Sequence, residues 1–581
     1  MNQLIYKERG KTQMSINNLV KISSTVVLLL GTIGTTTATA SSIFSFTTVA
    51  NNGDLIPDSN RNFNSYNQPS VNSDGLVVFR ARSQGGQGQP ITGIFTRDMA
   101  DLVNPGPIFS LTTRGSIVPN PNNTGAIFNE FPSFPRIDIN SDTAATRGQS
   151  RPVWEFSLNG VDTRVGTAGI YTNPNGQLIT GASQLGNVPG FEYFQVPGAP
   201  TQTRFDQFPG APSPTNGNII VFKGNWTDLT APVGEQSRTG VYFRDLVANG
   251  GNAPVQLIAD SNTLIPGEVV KFGSTAPPSA AGGKAVFLGV DNEGSPTVGG
   301  IYLSSLLNNP TELENVVSIG GLSSIVGPGG LKAIGEALSF DGRNVSYWGA
   351  WGTETFSQIV SCPEEGNPEL LNFCLGESNN PNNPNAIGNG QFKFEILSNQ
   401  GFFVTDTETL ETRLIAQTGP EFVTFLSWNF SGRAPGEEEE GELARWRSAA
   451  FVAVDGFNTL FKATKGSIDN LGFLQPLSDG IYLQLGDGTP IVTIAETGMD
   501  GSVLDPEAAG LPITSLGIER DGLRNGWLTL AASMANDEDS WAGVYITRTS
   551  TVPEPSNLSA LIGAGVAIGV GSLLKRKFNR K

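Results

Sequence analysis

Residues 213–226 read SPTNGNIIVFKGNW, and TGVYFRD follows at 239–245, then VQLIADSNTLIPG at 255–267. The order is a small polar turn, an apolar run ending in an aromatic, a glycine followed by an apolar residue and an aromatic, and a further apolar run. β-Branched and aromatic residues suit strands, and Asn, Gly and Pro suit the turns between them. The order recurs in PSVNSDGLVVFRAR (69–82) with TGIFTRD (92–98), in PSAAGGKAVFLGV (278–290) with GGIYLSS (299–305), and in ALSFDGRNVSYWGAW (337–351) with QGFFVTD (400–406). Looser copies are PRIDINSD (135–142) with AGIYTN (168–173), SAAFVAVDGFNTLFKA (448–463) with DGIYLQ (479–484), and LGIERDGLRNGWLTLAA (516–532) with AGVYITR (542–548).

These copies place seven Gly-apolar-aromatic marks, at Gly93, Gly169, Gly240, Gly300, Gly401, Gly480 and Gly543. The third run recurs as TRLIAQTG (412–419) and VTIAETG (492–498). Three or four short strands in about 65 residues match a propeller blade with long loops. The seventh unit stops without its third run. TTVANNGDLIPD (47–58) aligns without a gap on QLIADSNTLIPG (256–267), setting Val49, Ala50, Leu55, Ile56 and Pro57 against Ile258, Ala259, Leu264, Ile265 and Pro266. A first strand that completes the last unit closes a ring and leaves no sheet edge unpaired. The expectation is an all-β, seven-unit β-propeller-like repeat over residues 41–550, closed by the N-terminal strand. An open row of sheets or two β-sandwiches is the alternative.

The 581-residue chain contains 71 Gly, 37 Pro and 33 Phe but only 15% charged residues, which suits short strands and tight turns. A net charge of −17 argues against nucleic acid as a partner, because that role needs a concentrated basic surface. The chain has no histidine, which excludes Ser-His-Asp hydrolysis and His-ligated zinc or haem. Its two cysteines, Cys362 and Cys374, suit one short-range disulfide in an exported protein, since C-x₁₁-C is not the redox spacing C-x-x-C.

The first forty residues have the form of a signal peptide. Lys21 precedes an apolar core from Val26 to Ile33, and Ala38 and Ala40 stand at −3 and −1 before Ser41. Translation from either Met1 or Met14 preserves this pattern. At the other end come Pro553-Glu554-Pro555, an apolar, glycine-bearing run from Leu558 to Leu574 that is expected to be a transmembrane helix, and the basic tail 575–581. Residues 551–581 thus resemble the PEP-CTERM sorting signal of Gram-negative bacteria. The resemblance implies that an exosortase, a membrane cysteine protease-transpeptidase, recognises the tripeptide and releases or transfers the protein. It also implies a transient membrane-anchored form, a destination at the cell surface or in the extracellular matrix, and an association with extracellular polysaccharide. The repeats themselves resemble the tandem NxxGxxAF repeats of bacterial surface proteins, through Asn72, Gly75 and Phe79 and more loosely through Asp341, Gly342 and Tyr347. That resemblance carries no biochemical activity.

Ser361 to Gln391 reads as a long polar loop, rich in Asn, Pro and Gly, and Glu437 to Glu440 as a solvated acidic run. Asp138, Asn140 and Asp142 alternate like calcium ligands, but the glycine and distal glutamate of an EF-hand are missing, and Asx side chains also build turns. Trp348 and Trp351 are the candidates for sugar contact, with burial in the core as the competing role. No catalytic residue and no cofactor beyond that calcium candidate is expected. The functional expectation is a non-catalytic structural or binding protein of the envelope or exopolysaccharide matrix. The alternative is a carboxylate-dependent enzyme acting on extracellular glycans, since paired acids work without histidine.

Overall fold

The computed structural model describes residues 44–549, apart from 86–88, 121, 123–124, 151–154, 159–160, 165–167, 365–366, 433, 435–442 and 487. The segments expected to be a signal peptide and a sorting signal with its apolar run, and Glu437 to Glu440, therefore lie outside the described residues. Among the described residues no helix is long and apolar enough to cross a membrane.

The fold is a seven-bladed β-propeller of antiparallel sheets. Blade 3 is the plainest, with strands Ser213–Thr215, Ile219–Thr227, Ser237–Asp245 and Gln256–Asp260 in spatial order. Blades 1, 2, 4, 5 and 6 are built around third strands Thr92–Asp98, Ala168–Thr172, Gly299–Ser305, Gln391–Asp406 and Leu474–Gln484. Blade 7 pairs Ile513–Gly517 and Leu523–Arg524 with Trp527–Ala535, that strand with Ser540–Arg548, and Ser540–Arg548 with the N-terminal strand Thr47–Asn51. The innermost segments Ser70–Val71, Arg136–Ile137, Ser213–Thr215, Ser279–Ala281, Ser339–Phe340, Val452–Asp455 and Leu523–Arg524 each touch the next, and the last touches the first. The ring is closed.

The expected alignment of the two ends holds to the residue. Gly543, Val544, Tyr545 and Ile546 pair with Asn51, Ala50, Thr48 and Thr47, skipping Val49. In blade 3, Gly240, Val241, Tyr242 and Phe243 pair with Asp260, Ala259, Leu257 and Gln256, skipping Ile258. The same one-residue bulge follows the Gly-apolar pair in the other five blades. A Cβ on Gly240 would meet the Tyr242 hydroxyl at 2.6 Å, and one on Gly543 the Tyr545 hydroxyl at 2.5 Å. In these blades the glycine makes room for the aromatic two residues on, whose ring folds back over it.

That aromatic is core. Tyr242 and Tyr302 are fully buried, as are Phe79, Phe222 and Phe287 on the second strands. In blades 1, 2, 3, 4 and 6 a further aromatic from the chain entering the blade meets the third-strand ring edge-on: Phe63 on Phe95, Phe128 on Tyr171, Phe205 on Tyr242, Phe272 on Tyr302 and Phe422 on Tyr482.

Two kinds of side-chain clasp join neighbouring blades. On the face of the turns after the innermost strands, Asn72 donates to Ser141 O at 3.2 Å, Asp138 accepts from Gly217 N at 2.7 Å, and Thr215 accepts from Gly283 N at 3.1 Å. Asp341 accepts from Gly456 N at 2.8 Å, Asp455 from Gly526 N at 2.9 Å, and Asn525 donates to Ser73 O at 3.1 Å, which returns to blade 1, so that these bonds span six of the seven blade junctions, those other than blade 4 to blade 5. Elsewhere, Arg97 donates to Val49 O at 2.7 Å, the carbonyl of the bulged residue in the closing strand. Arg244 does the same to Thr180 and Gly181 in blade 2, at 3.1 Å each.

The region read as a long polar loop is structured. The second and third strands of blade 5, Asn344–Ser361 and Gln391–Asp406, run on past the blade and are joined through helix Pro368–Ser378 and strand Ala386–Gly388. Asn367 caps the helix by accepting from Glu369 N, with Pro368 at its first position. Cys362 and Cys374 form a disulfide. A hairpin of Ser427–Ser431 and Arg445–Ala449 leans on this arm, and Val360, Cys374, Phe392, Phe430 and Ala444 form a separate small core.

Candidate functional site

Asp138, Asn140 and Asp142 do not converge. Asp138 is buried and spends one oxygen on Ser141 Oγ and Gly217 N, both at 2.7 Å. Asp142 is exposed and accepts from Asn72 at 3.2 Å, and Asn140 is exposed at the turn between them. Among the described residues no three His, Cys, Asp or Glu side chains are grouped to hold a metal ion. The alternating Asx pattern belongs to the clasp ring.

Trp348 and Trp351 point to opposite sides of one strand, as their odd spacing requires. Trp348 is half-buried among Phe402 and Phe461 toward blade 6 and donates to Gln400 at 3.3 Å. Trp351 packs toward blade 4, edge-on to Phe403 at 5.9 Å. The two indoles do not form one platform.

The structure assembles a charged centre instead, from residues the sequence scatters. At the axis Arg136 donates twice to Asp521, at 2.6 and 2.8 Å, and once to Pro278 O at 3.0 Å. Arg524 donates to the same carboxylate and to the carbonyls of Val454 at 2.6 Å and Phe340 at 3.1 Å. Val71 N donates to Asp521 O at 2.9 Å, so this plug ties blades 1, 2, 4, 5, 6 and 7. All three side chains are buried. Burial works to raise the Asp521 pKa, but Arg136 and Arg524 outweigh it and hold the carboxyl below its ordinary value. Next in sequence, Arg520 pairs with Glu519 at 3.0 Å, and burial, aided by Arg136, lowers its pKa.

A second cluster gathers Lys223 from blade 3, Glu293 from the loop joining the second and third strands of blade 4, Glu336 from the break in the innermost strand of blade 5, and Arg445 and Arg447 from the leaning hairpin. Arg445 binds Glu293 at 2.9 Å, and Ser274 donates to the same carboxylate at 3.2 Å. Ser339 Oγ donates to Arg520 O at 2.6 Å, which places the chain just after Glu336 beside the axial plug. Glu336 is reached by solvent yet stands among enough protein that desolvation raises its pKa, even though Lys223, Arg447 and Arg445 pull the other way. Sequence reading had no signal for this cluster, because its members come from four units and share no motif.

No protein-family model and no curated protein matches the chain. Among solved structures, an oligogalacturonate lyase in complex with manganese is similar with a TM-score of 0.38 and 9% identity, over 88% of this chain and 98% of that one. The oligogalacturonate lyase of Vibrio parahaemolyticus gives 0.37 and 8%, over 88% and 97%. The β-propeller domain of the trilobed protease from Pyrococcus furiosus gives 0.24 and 12%, over 59% and 81%. The blade count rests on the strand pairing itself.

Proposed function

We propose that this protein is exported and serves as a non-catalytic binding or structural component of the envelope or extracellular polysaccharide matrix, sorted by an exosortase. The observation that carries the non-catalytic part is the axis. Where seven blades converge, the acid is committed to two arginines and to the backbone, and such a paired carboxylate is poorly suited to general-acid or nucleophile work. Export and sorting rest on the terminal signatures: Ala38 and Ala40 before Ser41, and Pro553-Glu554-Pro555 before the apolar run. The course of the chain agrees with that reading. Thr549 N bonds Gly526 O at 2.8 Å and Thr547 bonds Ser45 O at 2.7 Å, so both described ends lie on the clasp-ring face, away from the arm.

Incubating the exported protein with its producer's own polysaccharide tests the proposal. Retention without cleavage is expected, whereas new reducing ends would favour the carboxylate enzyme. Intact mass of the surface form should end near Pro553, and finding Lys581 on it would reject exosortase processing.

A further inference from the structure

We infer that Arg520, at the mouth of the central axis, anchors a binding site for a carboxylate ligand. This deepens the binding reading above and rests on it. The first observation is a ring of bonds around the axis. The innermost strands of blades 1, 2, 4, 5 and 7 are each interrupted, and the chain leaving each interruption is tied to the next. Ser70 Oγ donates to Pro135 O at 3.0 Å, Arg136 to Pro278 O at 3.0 Å, and Ser279 Oγ to Leu338 O. Ser339 Oγ donates to Arg520 O at 2.6 Å, and Val71 N to Asp521 O at 2.9 Å, which closes the ring. These strands run from the arm face toward the clasp turns, so Glu519 and Arg520, which precede Asp521, stand on the arm side of the plug.

The second observation is what the three axial guanidiniums have left to give. Arg136 and Arg524 spend both terminal nitrogens on Asp521 and on backbone carbonyls. Arg520 spends only Nε, on Glu519 at 3.0 Å, and its two terminal nitrogens make no hydrogen bond among the described residues. Exposure follows the same division: 11% for the Arg520 side chain, 2% for Arg524 and 0% for Arg136. Solvent therefore reaches the one guanidinium with donors to spare. Three arginines stand against two carboxylates, Glu519 and Asp521, which leaves one positive charge over in a chain of net charge −17. Water can meet the free N–H groups, but it brings no charge. With Nε taken, the terminal nitrogens form a two-pronged donor that a carboxylate matches with both oxygens. Beside it, Gln68 of blade 1 packs against Gly517, 2.8 Å from where a Cβ would stand, and its carboxamide makes no hydrogen bond among the described residues. It is placed to take a hydroxyl of the same ligand.

The test follows glucuronate, glucose and acetate on the exported protein by calorimetry at low salt. Glucuronate and acetate should bind, and glucose should not. Tighter binding of glucuronate than of acetate assigns the site to a uronic-acid residue, and equal binding assigns it to small free carboxylates; both support the site. No binding of either anion, or glucose bound as tightly as glucuronate, overturns the inference. Arg520→Gln should weaken glucuronate about tenfold, the scale of one charge-assisted contact. Lys271→Gln, an exposed lysine away from the axis, should leave it unchanged, and equal loss in both variants rejects a local site. If Arg520→Gln fails to fold, phenylglyoxal modification of the unaltered protein, read by peptide mass, decides the matter. Arg520 should react, and glucuronate but not glucose should protect it; an Arg520 that never reacts, or reacts equally with glucuronate bound, overturns the site. The producer's polysaccharide separates the two proposals. Glucuronate bound while the polysaccharide is cleaved keeps the site and rejects the non-catalytic role, whereas polysaccharide retained intact with no glucuronate bound rejects the site alone.

Discussion

Gly240 and the tyrosine two residues on are one packing unit. With the would-be Cβ at 2.6 Å from the Tyr242 hydroxyl, and that hydroxyl held by Trp226 Nε1 at 3.1 Å, the ring has little freedom to retreat. Gly240→Ala should lower stability by about 1–3 kcal/mol, as overpacking does, measured as a fall in the denaturant midpoint. An unchanged midpoint would mean that the ring slides aside. The tyrosine hydroxyls differ in what they hold. Tyr545 donates at 3.2 Å to Asp505, a buried acid that also receives Asn51 at 2.8 Å and Trp541 at 3.0 Å. The Tyr302 hydroxyl has no partner among the described residues. Tyr545→Phe should therefore cost about 1–2 kcal/mol, and Tyr302→Phe about 0.5 kcal/mol or less. Comparable losses in the two would show that the hydrogen bond from Tyr545 to Asp505 adds no net stability. The motif residues Asn72 and Gly75 were visible in the sequence. Their purpose was not, because the carboxamide's partner, Ser141, lies in the next blade.

Among the elements, the closing strand Thr47–Asn51 is held both by its ladder to Ser540–Arg548 and by one guanidinium, since Arg97 from blade 1 donates to Val49 O. Arg97→Ala should destabilise this seam by about 1.5–3 kcal/mol, the range for a hydrogen bond from a charged group, and should raise amide exchange in 540–548 before the other blades respond. Uniform exchange would mean that the ring opens only as a whole. The arm is a different case, because its small core is separate from the blade cores. Cys374→Ser should loosen it locally by about 3 kcal/mol in the chain-entropy account. Proteolysis should then cut within 362–390, while the main thermal transition stays in place; a shifted main transition would show the arm to be part of the propeller's cooperative unit. The second and third strands of each blade were legible, and so were the outermost strands of blades 3, 5, 6 and 7, because each is long enough to show an apolar run and a bounding turn. The innermost strands were not. They are broken pieces of two to four residues in most blades, such as Ser70–Val71 and Ser339–Phe340, too short for any periodicity. Helix Pro368–Ser378 was hidden by its Asn-rich flank, although Asn367-Pro368-Glu369 is a helix-start signal in its own right.

For the whole molecule, closure depends on Asp521 as much as on the seam strand, because this one carboxylate holds arginines from blades 2 and 7 that in turn hold carbonyls of blades 4, 5 and 6. No sequence pattern could announce it, since Arg136 and Asp521 are 385 residues apart. Asp521→Asn leaves two buried guanidiniums short of a counter-charge, a change that typically costs about 3–5 kcal/mol. The pH dependence follows from the direction of the shift. The folded pKa of Asp521 lies below its unfolded value, so the unfolded chain binds the proton more readily in acid. The stabilisation is complete above the ordinary aspartate value, about 3.9, and is lost as pH falls through the depressed folded value. The unaltered protein should therefore keep its midpoint down to about pH 4 as far as this group is concerned, then lose stability steeply. Asp521→Asn should start lower and lack that part of the acid limb. If the two pH profiles run parallel into acid, the plug is not the group whose protonation opens the ring.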